Sequence, residues 1–179
     1  VLDNSYLIVT SDHGELLERG CKGHDTPLLY DPIVHSPLLI RAPGQTSRQD
    51  IFAPVNSVDI LPTILHLAGK PIPDWCEGQI LPGLGGQENY ERSTFSVDAK
   101  LNPAFAPLST ASIAMRKGNY KLMYFKGYFG GEDFYELYNH EDDLEELHNL
   151  YDSEKAIAAQ MRDELLESLH SADREFTER

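Results

Sequence analysis

A buried-type strand that runs directly into a polar motif is the feature that most constrains this chain. Residues 5–10 (Ser-Tyr-Leu-Ile-Val-Thr) form a nearly continuous run of aliphatic, aromatic and β-branched side chains. Continuous apolarity, rather than alternation, is typical of a strand covered on both faces in a parallel sheet. Functional groups gather at the carboxyl ends of such strands. We therefore expect an α/β fold with polar chemistry directly after Thr10.

The first half of the chain continues in the same pattern. Residues 37–41 (Pro-Leu-Leu-Ile-Arg) predict a second buried-type strand, and residues 59–68 predict a helix. Asp59 is placed to cap that helix, and Pro62 falls in its first turn, where the missing N–H is no loss. Gly69 is a typical helix end.

The second half predicts short strands followed by a long helix. The strands are expected at residues 94–97, 112–116, 120–125 and 134–138, with a hairpin-type turn around Gly118. Apolar side chains recur every four residues within 153–171, which predicts a helix with one apolar face. We expect an antiparallel sheet covered on one face by this helix. The pattern divides the chain into residues 1–90 and 91–179.

Charge and hydropathy argue against a nucleic-acid partner and against a membrane-spanning helix. The chain has 15 Lys and Arg against 29 Asp and Glu, a formal net charge of -14. A surface this acidic repels phosphate backbones, so nucleic acid is not an expected partner. No apolar run approaches the roughly 20 residues of a membrane helix. Much of the acid follows Gly131, where we expect it to lie on a solvated face.

The chain opens on a residue other than Met, only a few positions before a strand that requires burial. We therefore interpret it as a segment of a longer protein. Cys21 and Cys76 are its two cysteines, and neither lies in a CxxC pattern. The compartment, cytoplasmic or periplasmic and secreted, stays open.

Residues 10–15 (Thr-Ser-Asp-His-Gly-Glu) hold the most informative polar groups. Just past a strand end the backbone turns, and Gly14 permits a sharp turn, so Asp12 and His13 can face one cation. Taken alone, mixed oxygen and nitrogen ligands suit Mn²⁺ or Zn²⁺ better than Ca²⁺. The alternative is a capping aspartate beside an ordinary polar histidine. Glu15 is a base by type, but nothing in the sequence places it.

The loop that follows carries positive or ionisable groups. Lys22 and His24 flank Gly23, and either side chain can meet an anionic group of a substrate. The alternative is that both are solvated loop residues. The sequence contains no P-loop, GxGxxG or zinc-type Cys/His spacing.

The order of the motifs carries more information than any one of them. Six motifs in this order resemble those of the sulfatase family. The first four are Ser11-Asp12-His13-Gly14-Glu15, then Gly23-His24, Tyr30-Asp31 with His35-Ser36-Pro37-Leu38-Leu39-Ile40, and Ala42-Pro43-Gly44. The last two are Ser57-Val58-Asp59-Ile60-Leu61-Pro62-Thr63-Ile64-Leu65 with Leu67-Ala68-Gly69, and Tyr135-Glu136-Leu137-Tyr138-Asn139 leading to Glu146-Leu147-His148-Asn149-Leu150. The resemblance spans nearly the whole chain.

Resemblance to the sulfatases, which belong to the alkaline-phosphatase-like superfamily, implies a fold and a chemistry. The fold would be the C-terminal part of an α/β sandwich, followed by a small antiparallel sheet packed on a C-terminal helix. The activity would be hydrolysis of a sulfate ester in a small molecule or glycan. Asp12 and His13 would bind a divalent metal, most often Ca²⁺, with Mn²⁺ as the alternative. His24, with Lys22 behind it, would contact the sulfate group.

The sequence also departs from the family pattern. Sulfatases use a formylglycine made from Cys or Ser in a Cys/Ser-x-Pro/Ala-x-Arg motif near the N-terminus, and neither Cys21 nor Cys76 lies in one. The paired metal carboxylates of the first strand are also missing. We expect the formylglycine in an N-terminal part of the parent protein, leaving this chain inactive alone and prone to form homo-oligomers. Phosphonate or phosphodiester hydrolysis and a non-catalytic interaction domain are the alternatives.

Overall fold

The computed structural model describes residues 2–20, 22–102, 108–128 and 132–177. Cys21 lies outside them. The first half contains two strands and two helices, in the order β1 (Leu7–Thr10), α1 (Asp31–Val34), β2 (Leu38–Arg41) and α2 (Ile60–Leu67). The second half contains β3 (Thr94–Asp98), β4 (Ala111–Lys117), β5 (Tyr120–Lys126), β6 (Phe134–Asn139) and α3 (Lys155–Thr177).

Strands β1 and β2 form a two-stranded sheet. They run antiparallel, with Ile8 opposite Ile40 and Val9 opposite Leu39. The sequence-based expectation of a parallel arrangement is therefore wrong for this pair. The reason lies in the connection between the two strands. It contains the one-turn helix α1 rather than a long crossover helix, and it returns the chain beside β1 in the opposite direction.

Helix α2 begins after a 3-10 turn at Ser57–Asp59. Pro62 is buried in its first turn, and Gly69, with φ of +63°, ends it as predicted. The Asp59 side chain does not cap α2, so that expectation is wrong. Its carboxylate instead accepts the backbone N–H of Asn56 and of Gln79, each at 2.8 Å, which ties the segment after α2 back to its start.

The four remaining strands form one sheet in the order β3-β4-β5-β6. All four predicted strands are confirmed, with ends that differ from the prediction by one residue or none. Strands β5 and β6 pair antiparallel, with Leu122 opposite Leu137 and Tyr124 opposite Tyr135. The turn between β4 and β5 contains Gly118 at φ +55°, a conformation that favours glycine.

The main core joins this sheet to the first part of the chain. Helix α3 lies against β5 and buries the predicted apolar face, including Met161 and Leu165. Burial of each such side chain contributes roughly 1.5–3 kcal/mol. A cluster of buried side chains brings together residues distant in sequence: Leu16, Leu29, Tyr30, Ile33, Ala114, Met123, Phe125 and Tyr138. The polar loop after β1 is thus built on the C-terminal sheet.

The chain forms two compact units. One comprises Val1–Ser47, Ser96–Met115 and Asn119–Arg179, and the other comprises Arg48–Phe95 and Arg116–Gly118. The division into residues 1–90 and 91–179 stays a prediction about domain organisation. Across the described parts of the chain, each helix is too short or too polar to cross a bilayer.

Candidate functional site

The segment after β1 is fixed at Gly14. Its backbone N–H donates to the carbonyl of Ile33 at 2.8 Å. A Cβ at this position would lie 2.0 Å from the carbonyl oxygen of Pro32, far inside contact distance. Glycine is therefore required by the close approach of two backbones. This contact sets the direction in which Asp12 and His13 leave the strand.

A single pair of backbone hydrogen bonds closes the loop that follows. The N–H of Leu16 donates to the carbonyl of Gly23 at 3.2 Å, and the N–H of Gly23 donates to the carbonyl of Leu16 at 2.9 Å. Leu16 is fully buried and anchors the loop in the core, while Gly23 has a φ of +111°, which favours glycine. The closure returns the chain so that His24 lies beside His13.

Arg19, at the tip of this loop, ties it to the segment after β6. Its guanidinium donates to the carbonyl oxygens of Glu145 and Glu146, the latter at 2.9 Å. The same group lies 4.0 Å from the centre of the Tyr30 ring, within the range of a cation–π contact. The loop is thus held at its base by Leu16 and at its tip by Arg19.

The two predicted site histidines are in direct contact. The His13 and His24 rings stack with centroids 3.9 Å apart and an angle of 30° between their planes. The Nδ1 atom of His24 lies 2.8 Å from a carboxylate oxygen of Glu15. The structure therefore places Glu15, which the sequence left unplaced, as the hydrogen-bond partner of His24.

Asp12 presents an exposed carboxylate at the edge of this histidine pair. Its Oδ1 accepts the backbone N–H of His13 at 3.0 Å, and its Oδ2 lies 3.6 Å from His13 Nε2. The backbone hydrogen bond from His13 is the main cause that lowers the pKa of Asp12. His13 Nδ1 lies 2.9 Å from the Gly14 carbonyl, so a hydrogen on Nδ1 leaves Nε2 free for a cation. These donors fit a divalent metal site.

Lys22 occupies the same loop in a different setting. Its side chain is exposed, and its ammonium has no hydrogen bond or ion pair with any residue in the ranges that the structure describes. His24 belongs to the histidine cluster, whereas Lys22 is free to approach an anion from solvent. Both residues remain candidates for contact with a sulfate group.

Lys100 lies beside this loop, although no sequence signal singled it out. Its ammonium is 2.5 Å from an oxygen of Asp25 and 3.5 Å from Asp98. The hydrogen bond from Lys100 lowers the pKa of Asp25. Lys100 thus forms an exposed ion pair with the residue that follows His24.

A buried ionic cluster lies in the same compact unit as the site, and the sequence reasoning missed it. The Lys121 ammonium is 2.8 Å from Asp31 and 2.7 Å from Glu146, and His140 Nε2 is 2.9 Å from Glu146. Burial alone would raise the pKa of Glu146, but hydrogen bonds from His140 and Lys121 outweigh it and lower the pKa. The ammonium fills the space between the two carboxylates, so this cluster supports the fold.

One stretch passed over in the sequence matches the Ser-x-Ala-x-Arg form of the formylglycine motif. It runs from Ser112 to Arg116 and lies within β4. Ser112 is 1% exposed, and its strand β4 lies between β3 and β5 in the sheet. In this fold the Ser112 hydroxyl is therefore buried in the sheet interior, away from solvent.

Comparison with known proteins assigns this chain to the C-terminal region of sulfatases. Residues 20–173 match the family model described as N-sulphoglucosamine sulphohydrolase, C-terminal. The chain belongs to this sulfatase family.

Curated relatives agree with this assignment. The chain is 28% identical over 169 residues to the uncharacterized sulfatase YidJ of Escherichia coli, covering 92% of this chain and 32% of the relative. It is 37% identical over 87 residues to arylsulfatase K of Canis lupus familiaris, covering 49% of this chain and 16% of the relative. The chain thus spans a third or less of the length of these relatives.

Solved structures show the same fold. One, described in complex with its substrate D-glucosamine-2-N, 6-O-disulfate, has a TM-score of 0.67 at 24% identity and covers 99% of this chain and 36% of its own. Another, from work on glycosaminoglycan metabolism by Bacteroides thetaiotaomicron, has a TM-score of 0.64 at 20% identity, covering 94% and 39%. The expected α/β fold with a C-terminal antiparallel sheet is confirmed.

Proposed function

We propose that this chain is the C-terminal part of a sulfatase that hydrolyses sulfate esters, and that it supplies metal ligands and sulfate contacts to the active centre. The observation that carries the proposal is the grouping of Asp12, His13 and His24 at the end of β1, with Glu15 bonded to His24. The grouping combines hard oxygen donors with imidazoles at one exposed edge, which suits both a divalent cation and an anionic ester.

Asp12 and His13 are the proposed metal ligands. The ionised Asp12 carboxylate is a hard donor that favours Ca²⁺, with Mn²⁺ as the alternative given the adjacent imidazole. When bound, such a cation polarises sulfate oxygens and stabilises charge that develops on them. Two residues do not complete a coordination shell, so the remaining ligands are proposed to come from the rest of the parent protein.

His24 is the proposed sulfate contact. Its Nδ1 bond to Glu15 orients the ring, so that Nε2 points its donor or lone pair away from the carboxylate. A ring protonated on both nitrogens would donate to Glu15 and to a sulfate oxygen together. Lys22, exposed in the same loop, would add a second positive charge toward the sulfate.

The nucleophile is proposed to be a formylglycine in the part of the parent protein outside this chain. The substrate is proposed to be a sulfated sugar. The family description names N-sulphoglucosamine, and a structure with the same fold was solved with a disulfated glucosamine, which both support this class.

The test uses the complete parent protein with sulfated glucosamine, an aryl sulfate and a phosphodiester as substrates. We expect sulfate release, and a loss of about 10²-fold or more in kcat for Asp12→Ala and for His24→Ala, since each removes a charge-stabilising contact. His170→Gln, an exposed change on α3, is the matched control. Full activity in both variants, or turnover of the phosphodiester alone, would overturn the proposal.

A further inference from the structure

The cluster at the end of β1 contains a second set of metal donors besides Asp12 with His13. One ligand atom from each of His13, Glu15 and His24 lies within 4.8 Å of the other two. We infer that these three residues form a binding site for a borderline transition-metal ion, with Zn²⁺ as its type, in this chain alone. Two imidazoles and one carboxylate are a donor set that open, three-ligand zinc sites use.

The separation of the donors suits a single ion. Glu15 and His24 atoms lie 2.8 Å apart, and two donors on one ion, each about 2.1 Å from it, are roughly 3 Å apart. The ion would take the place of the hydrogen now shared between them, and that hydrogen would move to Nε2 of His24 or to solvent. The His13 ring stacks against the His24 ring, and a His13 nitrogen lies within 4.8 Å of the Glu15 and His24 donor atoms.

The three side chains stand on a backbone that is already fixed. His13 and Glu15 flank Gly14, which is bonded to Ile33, and His24 follows Gly23, which is bonded to Leu16. Little conformational entropy is therefore lost when an ion binds. All three side chains are also partly exposed, so an ion reaches them from solvent without a buried path.

This site differs in chemistry from the one proposed for the sulfatase reaction. Ca²⁺ requires six or more oxygen donors, which two imidazoles and one carboxylate do not provide. Zn²⁺, Co²⁺ and Ni²⁺ bind imidazole strongly, and Mn²⁺ stands below them in affinity. The two sites share His13. An ion bound to His13, Glu15 and His24 would therefore prevent His13 from binding the proposed Ca²⁺ and His24 from contacting the sulfate group.

The test is titration of the 179-residue chain with Zn²⁺ by calorimetry, together with Co²⁺ titration followed by visible absorption. We expect one ion per chain, release of protons on binding, and cobalt absorption bands of four- or five-coordination. Ca²⁺ should give no heat at the same concentrations. No turnover is measured, so the result is independent of the proposed sulfatase activity.

Variants decide which residues bind the ion. His24→Gln and Glu15→Gln should each weaken Zn²⁺ binding by about tenfold or more, since each removes one of three donors. His170→Gln removes a histidine elsewhere and should change nothing, with folding checked by circular dichroism. Binding that is equal in His24→Gln, Glu15→Gln and the unaltered chain, or an absence of Zn²⁺ binding, would overturn the inference.

Discussion

The guanidinium of Arg92 donates two hydrogen bonds to the carboxylate of Asp59, at 2.6 and 2.9 Å. Asp59 is 1% exposed, so this is a buried ion pair in which two guanidinium nitrogens meet two carboxylate oxygens. Burial would raise the pKa of Asp59, but hydrogen bonds from Arg92, Gln79 and Asn56 outweigh it and lower the pKa. The pair joins the start of α2 to the segment just before β3.

Removal of Arg92 should strongly destabilise the unit formed mainly by residues 48–95. Arg92→Ala leaves the Asp59 charge buried with backbone donors only, and we expect a loss of about 3–5 kcal/mol in the free energy of unfolding. Urea unfolding followed by the fluorescence of Trp75, the single tryptophan, measures it. Arg48→Ala, which breaks an exposed pair with Asp50, should cost less than about 1 kcal/mol. Equal effects of the two changes would contradict the prediction.

Acid should destabilise the chain through Glu146. Because its pKa is lower in the folded state, its stabilising contribution is present above the ordinary pKa and is lost as the pH falls through the folded value. In Glu146→Gln the free energy of unfolding should be lower at neutral pH and should fall less steeply in acid. The exposed change Glu167→Gln is the control. A pH profile for Glu146→Gln parallel to that of the unaltered chain would refute the prediction.

The isolated chain should show no turnover of an aryl sulfate or a phosphate ester. It holds two proposed metal ligands and two proposed sulfate contacts, and a covalent mechanism also requires a nucleophile. A chromogenic assay with added Ca²⁺ or Mn²⁺ measures this. Metal-dependent hydrolysis by the purified chain would show that the nucleophile lies within it.

The isolated chain should associate through the face of the β1–β2 sheet. Val9 and Leu39 lie directly opposite each other and are 51% and 62% exposed, and Leu7 continues the same face. An exposed apolar sheet of this kind favours dimers or larger assemblies. Light scattering coupled to size-exclusion chromatography at tens of micromolar, roughly the range where such surfaces associate, is the measurement.

Two substitutions locate that interface. Val9→Lys together with Leu39→Lys should shift the chain toward monomer, because two ammonium groups on the face repel a second copy. Leu144→Lys changes an even more exposed leucine elsewhere and should leave the association unchanged. A monomeric unaltered chain at these concentrations would contradict the prediction.

Local patterns were sufficient to predict most elements. Strands β3 to β6 and the start of α3 follow from residues that are near neighbours in sequence, where alternation, turn glycines and a four-residue apolar repeat act directly. The apolar runs of β1 and β2 indicated strands of a parallel sheet, whereas the two strands pair antiparallel. Pairing direction depends on the path of the intervening chain, and no local pattern encodes it.

The candidate site divides in the same way. Asp12, His13 and His24 were predicted by type and motif, whereas the bond between Glu15 and His24 depends on the loop closure at Leu16. The acidic residues after Gly131 were expected to be solvated, and Glu146 is buried instead. Its partner Lys121 lies in β5, and such a long-range pair has no signature in sequence.

Leu16 links the loop that carries the proposed ligands to the C-terminal sheet. Its side chain is buried among Met123, Phe125 and Tyr138 of β5 and β6, while the residues on either side of its loop carry the proposed chemistry. A substitution that disturbs the packing of Leu16 against those strands would therefore also disturb the loop that carries the proposed ligands. For the same reason, a chimaera that takes the sheet from one relative and residues 12–24 from another should pack Leu16 less well than either parent does.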